Sequence, residues 1–168
     1  MATGGITYGT YTAMTVTNLQ SLANDSTDPF GAWQSARVAN HSTLAQDYEI
    51  LIDLSTANTA PAGDAAAYVY VIPWMTTDGG TTWIAGANFG TTTLPTGSEG
   101  TASISDPNSM RGILVPYKVA QQRLNRQFSI ASVLGFMPDG WSLAIRNATG
   151  AALSTGCVVS YRTLNPTI

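Results

Sequence analysis

The segment Tyr68-Val-Tyr-Val-Ile72, within Ala65–Trp83 (AAAYVYVIPWMTTDGGTTW), decides the fold of this 168-residue chain. Aromatic and β-branched residues fit a pleated strand and are crowded in a helix. Because the run has no polar alternation, it predicts a central strand that is covered on both faces. Pro73 has no N–H to donate, so the strand is expected to end or to reach an edge there. Asp78-Gly-Gly80 predicts a tight turn, and Thr81–Ile84 the returning strand of a hairpin.

Further strands are predicted on both sides of this hairpin, with Gly-, Pro- and Asx-rich turns between them. The clearest is 47–54, where Tyr48, Ile50, Ile52 and Leu54 alternate with residues that include three acids. The other predicted strands are Trp33–Asn40, Thr101–Ile104, Gly112–Tyr117, Gln127–Val133, Trp141–Arg146 and Cys157–Arg162. About eight strands and no long helix predict an all-β fold, a β-sandwich of the jelly-roll type.

The chain is most simply one sandwich domain, 31–168, preceded by an irregular arm and loop, 1–30. Residues 1–17 are expected either to become ordered on a neighbouring subunit or to form an edge strand. Asn18–Ala23 fits one helical turn. Lys118–Arg126 fits either a helical turn or a polar crossover.

Charge is scarce and unevenly distributed. Charged residues make up 10% of the chain, against about 25% in average proteins. Residues 1–106 carry nine acids and one base (−8), and 107–168 carry six bases and one acid (+5). The net charge of −3 argues against nucleic-acid binding, which requires a basic footprint. If the asymmetry survives folding, an acidic flank of one subunit could meet a basic flank of the next.

Several features exclude particular environments or modifications. Cys157 is the only cysteine, so no intrachain disulfide is possible, and we expect it to be a small core residue. The first ten residues lack the features of a secretory signal, and no apolar run reaches the roughly 20 residues needed to span a bilayer. We therefore interpret the glycosylation patterns at Asn24, Asn40 and Asn147 as chance matches.

No specific catalytic or metal-binding set is present in the sequence. His41 is the only histidine, which excludes sites built on two or more histidines, and we expect it at the surface or an interface. Asp47, Glu49 and Asp53 share one strand face, but exposed carboxylates of this kind are usually only solvated. Asp78 alone cannot supply the oxygen ligands of a calcium loop. Catalytic, cofactor-binding and metal-binding residues are therefore predicted to be none, and the protein is not expected to be an enzyme.

Two groups of side chains could bind a partner. The aromatic residues form either a core or interface, which we favour, or a sugar-stacking platform; they are Trp74, Trp83, Trp141, Tyr68, Tyr70 and Tyr117. A basic cluster either binds an acidic partner surface or is a solvated connection; it comprises Arg111, Lys118, Arg123 and Arg126.

Three segments together resemble small virion structural proteins of tailed bacteriophages, of the capsid cement or decoration type. They are Trp33–Asn40 (WQSARVAN) before the strand at Asp47, Thr77-Asp-Gly-Gly80 after an aromatic β run, and Met137–Leu153 (MPDGWSLAIRNATGAAL). The resemblance spans Trp33 to Tyr161. It implies a jelly-roll protein on the virion capsid surface, made in the host cytoplasm, without an active site.

The resemblance also implies the partners. Such proteins commonly form homotrimers over capsomer junctions and join subunits of the major capsid protein. From the net charge and the short apolar runs, we expect no nucleic-acid or membrane contacts. We expect the arm (1–30) and the loops to make these contacts, because the strands are needed for the core. The alternatives are a carbohydrate-binding β-sandwich module of a phage tail or baseplate and, third, a hydrolase on a sandwich scaffold.

Overall fold

A computed structural model describes residues 5–24, 30–57, 66–86, 99–104, 112–116 and 123–167. It confirms the predicted all-β fold: strands predominate among the described residues, the helix found there has five residues, and two antiparallel sheets form a sandwich. The elements are β1 (Gly5–Tyr8), β2 (Thr12–Ala13), β3 (Phe30–Gln34), β4 (Val38–Ala39), β5 (Asp47–Ser55), β6 (Ala66–Met75), β7 (Ile84–Ala85), β8 (Gly100–Ile104), β9 (Gly112–Pro116), β10 (Arg123–Ser129), α1 (Ile130–Leu134), β11 (Gly140–Ala148) and β12 (Val158–Thr167).

The β5 sheet has the strand order β1-β12-β5-β10, and β2 also pairs with β12. The β6 sheet has the order β7-β6-β11-β3-β8, with β9 also pairing with β6 and β4 with β11. The described residues contain twelve strands, which is more than the eight or so predicted, in part because β2, β4 and β7 are only two residues long. The jelly-roll arrangement stays a prediction.

The decisive segment forms β6, and both of its faces are buried, as predicted. Val69 and Val71 belong to the core between the sheets. Tyr70, Ile72 and Trp74 belong to a second hydrophobic cluster, which includes Ala144 of β11 and Ala32 of β3, the next strand beyond it. β6 continues through Pro73, which is paired with Trp141, and ends two residues later. At Pro73 the other edge of β6 lies between the pairings with β9 and β7, so the missing N–H is tolerated there.

β5 shows the alternation predicted for it. Tyr48, Ile50, Ile52 and Leu54 are at most 1% exposed and face the core, while residues 47, 49, 51 and 53 are half-buried. Trp33 and Trp141 of the β6 sheet complete the centre of this core and are fully buried.

The predicted strand Trp33–Asn40 is interrupted. Gln34 pairs with Ala144 and Val38 with Trp141, so three residues on this side oppose two on β11. This is a β-bulge. Ser35 stabilises it, because its Oγ accepts a hydrogen bond from the N–H of Leu143 at 2.9 Å. The bulged segment, 35–37, carries Arg37 away from the regular ladder.

Two further predictions need correction. The strand predicted over Gln127–Val133 ends at Ser129, which caps α1 by accepting a hydrogen bond from the N–H of Ser132, while Gly135 ends the helix with φ 80°. The returning strand of the hairpin is only Ile84–Ala85. Thr81 and Thr82 belong to the turn because their N–H groups donate to Asp78 Oδ1 rather than to β6.

The arm is less irregular than predicted. β1 pairs with residues 164–167 of β12, and β2 with Ser160 and Tyr161, so residues 5–8 and 12–13 form an edge, which is one of the two alternatives predicted for 1–17. Residues 18–21 form turns rather than a helix. Several other predictions concern residues outside those described, including Tyr117, Arg111, Lys118, the first part of Lys118–Arg126, and the loops within 25–29, 58–65, 87–98 and 105–110.

Candidate interaction surface

Three connections meet at one end of the sandwich, which we call the loop end. They are 40–46 after β4, 76–83 between β6 and β7, and 135–139 before β11. They converge because Gly140, the first residue of β11, is paired with both Ala39 and Trp74. Gly140 must lack a side chain there, since a Cβ would lie 2.7 Å from the Trp83 ring.

Asp139 joins the three connections by hydrogen bonds. Its carbonyl oxygen accepts from the N–H groups of Asn40 at 2.6 Å and His41 at 2.8 Å. Its Oδ2 accepts from the N–H of Thr76 at 3.0 Å. The Asp139-Gly140 pair is thus a turn, as predicted, and the Asp139 carboxylate connects the turn to Thr76 at the loop end.

Asp78 organises the hairpin turn. Its Oδ1 accepts hydrogen bonds from Thr76 Oγ1 at 2.9 Å and from the N–H groups of Thr81 and Thr82 at 3.1 and 2.8 Å. Hydrogen bonds from Thr82, followed by those from Thr76 and Thr81, lower the pKa of Asp78 to about 2. The carboxylate is therefore used within the turn that the sequence predicts at Asp78-Gly-Gly80.

The loop end carries exposed apolar side chains. Leu44, Met75, Ile84 and Phe136 are each more than half exposed, from 51% for Met75 to 74% for Leu44. Met75 and Ile84 are cross-strand neighbours at the base of the hairpin turn. Exposed apolar residues grouped in this way are typical of a surface that another macromolecule covers.

A cavity of about 290 Å³ opens beside the hairpin turn and is lined by Arg37, Trp74, Thr81, Thr82 and Trp83. The guanidinium carbon of Arg37 lies 4.1 Å from the centroid of the Trp83 ring and 5.4 Å from that of Trp74. These are cation–π distances. Burial lowers the pKa of Arg37 from its ordinary value. We refer to this feature as the Arg37 pocket.

Both tryptophans of the Arg37 pocket have their N–H groups satisfied within the chain. Trp74 Nε1 donates to Ser142 Oγ at 2.9 Å, and Trp83 Nε1 donates to the Gly80 carbonyl at 2.8 Å. His41 makes a T-shaped contact with Trp83, with ring centroids 5.3 Å apart. His41, which was predicted at the surface or an interface, is thus half-buried against the turn, and its Nδ1 is inaccessible.

A second polar cluster lies on the outer face of the β5 sheet. The Arg162 guanidinium carbon lies 4.3 Å from the ring centroid of Tyr8 and 4.6 Å from that of Tyr11, and Arg162 also forms an ion pair with Glu49. Tyr11 donates a hydrogen bond to Glu49 at 2.9 Å. Burial alone would raise the pKa of Glu49, but the bonds from Arg162 and Tyr11 outweigh it and lower that pKa. This cluster attaches the arm to the sheet.

The three acids of β5 do share one face, as predicted, but each has a separate partner. Glu49 pairs with Arg162, Asp53 forms an ion pair with Arg123, and Asp47 accepts hydrogen bonds from the Ser129 hydroxyl and the Ala131 N–H. Both ion pairs join an acid of the first half of the chain to a base of the second. Because β5 lies between β10 and β12, the charge asymmetry is neutralised here within one subunit.

The predicted aromatic residues are divided between core and pocket. Trp141, Tyr70 and Trp74 are at most 3% exposed, which confirms core positions, and Trp141 makes T-shaped contacts with Tyr48 and Tyr161. Tyr68 stacks on Tyr70, but Tyr70 is buried, so the pair offers no open platform. Among the described members of this group, Trp83 is half-exposed and lines the cavity beside the hairpin turn.

The remaining candidates have structural roles. Cys157 is fully buried, as predicted, and burial raises the pKa of its thiol. The amide of Asn147 donates to the carbonyls of Leu22 and Ala151, and that of Asn40 to Ala45, so neither nitrogen is presented for glycosylation. In the basic cluster, Arg123 is committed to Asp53, while Arg126 is exposed.

Arg37 was not singled out from the sequence. The one available signal is that it is the only base among residues 1–106, close to Trp33 and Gln34. Its tryptophan neighbours lie 37 and 46 positions further along the chain, and only the pairing of β6 and β11 and the bulge bring the three together.

Among the described residues, no three His, Cys, Asp or Glu side chains are grouped so as to hold a metal ion. No helix in that part of the chain is both long and apolar enough to cross a bilayer. No model of a known protein family matches the chain, and no curated protein is detectably similar to it in sequence.

Proposed function

We propose that this chain is a structural virion protein, a capsid cement or decoration protein that binds the outer capsid surface and stabilises contacts between capsid subunits. The observation that supports this best is the placement of exposed apolar side chains. Of eight large exposed hydrophobic residues in the described ranges, seven lie in the arm or at the loop end: Ile6, Tyr8, Tyr11, Leu44, Met75, Ile84 and Phe136. The arm and the loops are the parts of a sandwich that can bind a partner without disturbing the core.

Attachment of this kind depends on repetition. Each subunit covers a modest area of shell, and a homotrimer binds with the avidity of three linked contacts. A protein that binds only the assembled shell stabilises it by mass action, by about 2.7 kcal/mol per site at a free concentration 100 times the Kd. The partner in this proposal is the major capsid protein, and the location is the virion surface.

The proposal includes no catalytic turnover. The acids of β5 are engaged one by one with Arg162, Arg123 and Ser129, so no two described carboxylates there are left to act as an acid and base pair. Asp78 and Asp139 are likewise used by backbone N–H groups. A binding role needs none of these groups to be free.

The test uses the purified chain and shells from the phage that encodes it. Light scattering should give a trimer, and sedimentation with shells should give saturable binding that raises the shell's heat tolerance. The variant Leu44→Ser/Phe136→Ser should weaken binding at least tenfold, because both side chains are exposed at the loop end and contribute nothing to the core.

Val158→Ser is the matched control, since Val158 is also exposed, at 43%, but lies on the outer face of the β5 sheet. It should bind shells as the unmodified chain does. If the unmodified chain does not bind shells, the proposal is wrong. If Val158→Ser weakens binding as much as the loop-end variant does, the proposed attachment surface is wrong.

The alternative, a carbohydrate-binding module of a phage tail or baseplate, has one observation in its favour. The Arg37 pocket combines two indole rings with threonine side chains, which are residue types that sugar sites use. Against it, Trp74 is buried and Trp83 already carries Arg37 and His41 on its ring. Binding of the isolated protein to a glycan array, lost in Trp83→Ala, would favour this alternative over capsid decoration.

A further inference from the structure

Arg37 is a cation without a counter-ion among the described residues. The two ion pairs formed there use Arg123 and Arg162. Arg37 makes neither an ion pair nor a hydrogen bond within the described ranges, and its contacts are with the faces of Trp74 and Trp83. A guanidinium has five N–H donors, and partly desolvated donors gain free energy when they find an acceptor.

The pocket is suited to one kind of acceptor. Its indole N–H groups already donate to Ser142 and Gly80, and the Thr81 hydroxyl donates to the Asp78 carbonyl, so the guanidinium is the charged donor that lines the cavity. A planar guanidinium matches the two oxygens of a carboxylate in a bidentate pair. Stacking on Trp83 at 4.1 Å holds the guanidinium in place before any ligand arrives, so less conformational entropy is lost on binding.

The carboxylate is not expected to come from this chain's own described acids. All of them are already engaged within the subunit by hydrogen bonds or ion pairs: Asp47, Glu49, Asp53, Asp78, Glu99 and Asp139. A sugar acid would need an open ring face, and the indole rings here are covered by Arg37, His41 or the core. A polyanion is disfavoured by the net charge of −3.

We propose that the Arg37 pocket binds the carboxylate of an Asp or Glu side chain on a partner protein, as a bidentate pair with the guanidinium. The pocket opens at the loop end, where Leu44, Met75, Ile84 and Phe136 are exposed, so the same partner would cover a charged anchor and apolar side chains together. A buried ion pair surrounded by apolar contacts is a common form of binding hot spot. The identity of that partner as the capsid protein rests on the proposed function, whereas the chemistry of the pocket does not.

The first experiment tests the chemistry alone. The indole N–H signals of Trp74 and Trp83 are followed by ¹H–¹⁵N NMR while acetyl-Leu-Glu-Leu-amide, its Gln counterpart, glucuronic acid or inorganic phosphate is added. The Glu peptide should shift both signals at millimolar concentration and bind at least tenfold more tightly than the Gln peptide. Arg37→Gln should abolish the shift. Arg126→Gln removes the same charge from an exposed position on β10 and should leave the shift unchanged.

Glucuronic acid or phosphate binding as tightly as the Glu peptide would overturn the proposal, as would shifts that persist in Arg37→Gln. Because loss of the stacked cation could disturb the turn, Arg37→Lys is measured alongside. It keeps the charge but not the planar fork, so it should retain weak binding with a thermal midpoint close to that of the unmodified chain.

The second experiment tests whether the Arg37 pocket belongs to the surface that attaches to shells. In the shell sedimentation assay, Arg37→Gln should bind at least tenfold more weakly and Arg126→Gln normally. If the unmodified chain binds shells and Arg37→Gln binds equally well, the pocket proposal fails while the proposed function stands. If no form binds shells, the proposed function fails and the peptide titration still decides the pocket. If the unmodified chain self-associates and Arg37→Gln does not, the occupant of the pocket is a second copy of this chain. That result would overturn the proposal that a different protein supplies the carboxylate.

Discussion

Gly80 is the residue on which the fit between the hairpin turn and His41 depends. Its φ is +94°, and a Cβ there would collide with the imidazole ring. We expect Gly80→Ala to lower the free energy of unfolding by about 2–3 kcal/mol, as the sum of backbone strain and the collision. Urea denaturation measures this change.

Gly79 provides the matched control for that prediction. Its φ is +70°, but a Cβ there would meet nothing within 4 Å, so Gly79→Ala should cost only the backbone strain, about 1 kcal/mol. Adding His41→Ala to Gly80→Ala should recover the difference between the two glycine variants. Equal losses for the two single variants would contradict the packing of His41 under the turn.

Asp78 makes the turn sensitive to acid. Its pKa in the folded chain is about 2, below the ordinary 3.8. The ionised carboxylate therefore stabilises the fold in full above about pH 3.8, and this contribution is lost as the pH falls through about 2. We expect Asp78→Asn to be less stable than the unmodified chain at pH 5, with a difference that shrinks towards pH 2. A difference that is constant over this range would contradict the hydrogen bonds assigned to the carboxylate.

At the scale of elements, the local residue pattern was sufficient to predict a strand and its buried faces wherever burial decided the structure. The unbroken apolar run of β6 and the alternation of β5 both predicted the faces that the structure buries. The residue pattern predicted the wrong strand bounds where the hydrogen bonds of one side chain redirected the backbone. Ser129 caps α1 and ends a strand whose alternation continues, and Asp78 takes two N–H groups that the ladder would otherwise have used.

The same reasoning explains why the pocket could not be predicted. No local pattern indicates that Ser35 will accept a hydrogen bond from Leu143 and create a bulge. Without that bulge, Arg37 would be an ordinary strand residue, and its contacts with Trp74 and Trp83 depend on strand pairing over long separations. Most of the candidate residues named from the sequence are core or turn residues in the structure. Their residue types occur in binding sites as well as in cores and turns, so the sequence alone does not separate these roles.

The register of β5 can be tested by substitution of two adjacent residues. Ile50 is fully buried between the sheets, whereas Leu51 is half-buried on the outer face. Ile50→Ala should lower the free energy of unfolding by about 2–5 kcal/mol, because it removes core contacts and leaves a cavity. Leu51→Ala should cost clearly less. Chemical denaturation of both variants checks this, and a larger loss for Leu51→Ala would mean that the strand is out of register by one residue.

For the whole molecule, the first and last described strands, β1 and β12, pair in one sheet but carry unequal parts of its stability. β1 and β2 are exposed throughout, and their contacts with the rest include two rings stacked on Arg162. β12 is central in the β5 sheet, pairs with β1, β2 and β5, and places Val159 in the core. We therefore expect the sandwich to fold without β1 and β2 but not without β12.

Deletion of residues 1–13 should consequently leave a folded sandwich that is only slightly less stable than the full chain, because it removes an exposed edge and its contacts with Arg162 rather than core residues. Deletion from residue 158 onward should prevent folding, because β5 loses its ladder partner over seven residues and becomes an unpaired edge. Amide dispersion in ¹H–¹⁵N NMR spectra distinguishes these outcomes, with Tyr8→Ala/Tyr11→Ala as a milder form of the first deletion. An unfolded chain after removal of 1–13 would assign the arm to the core, and it would then be unsuited to the binding role proposed for it.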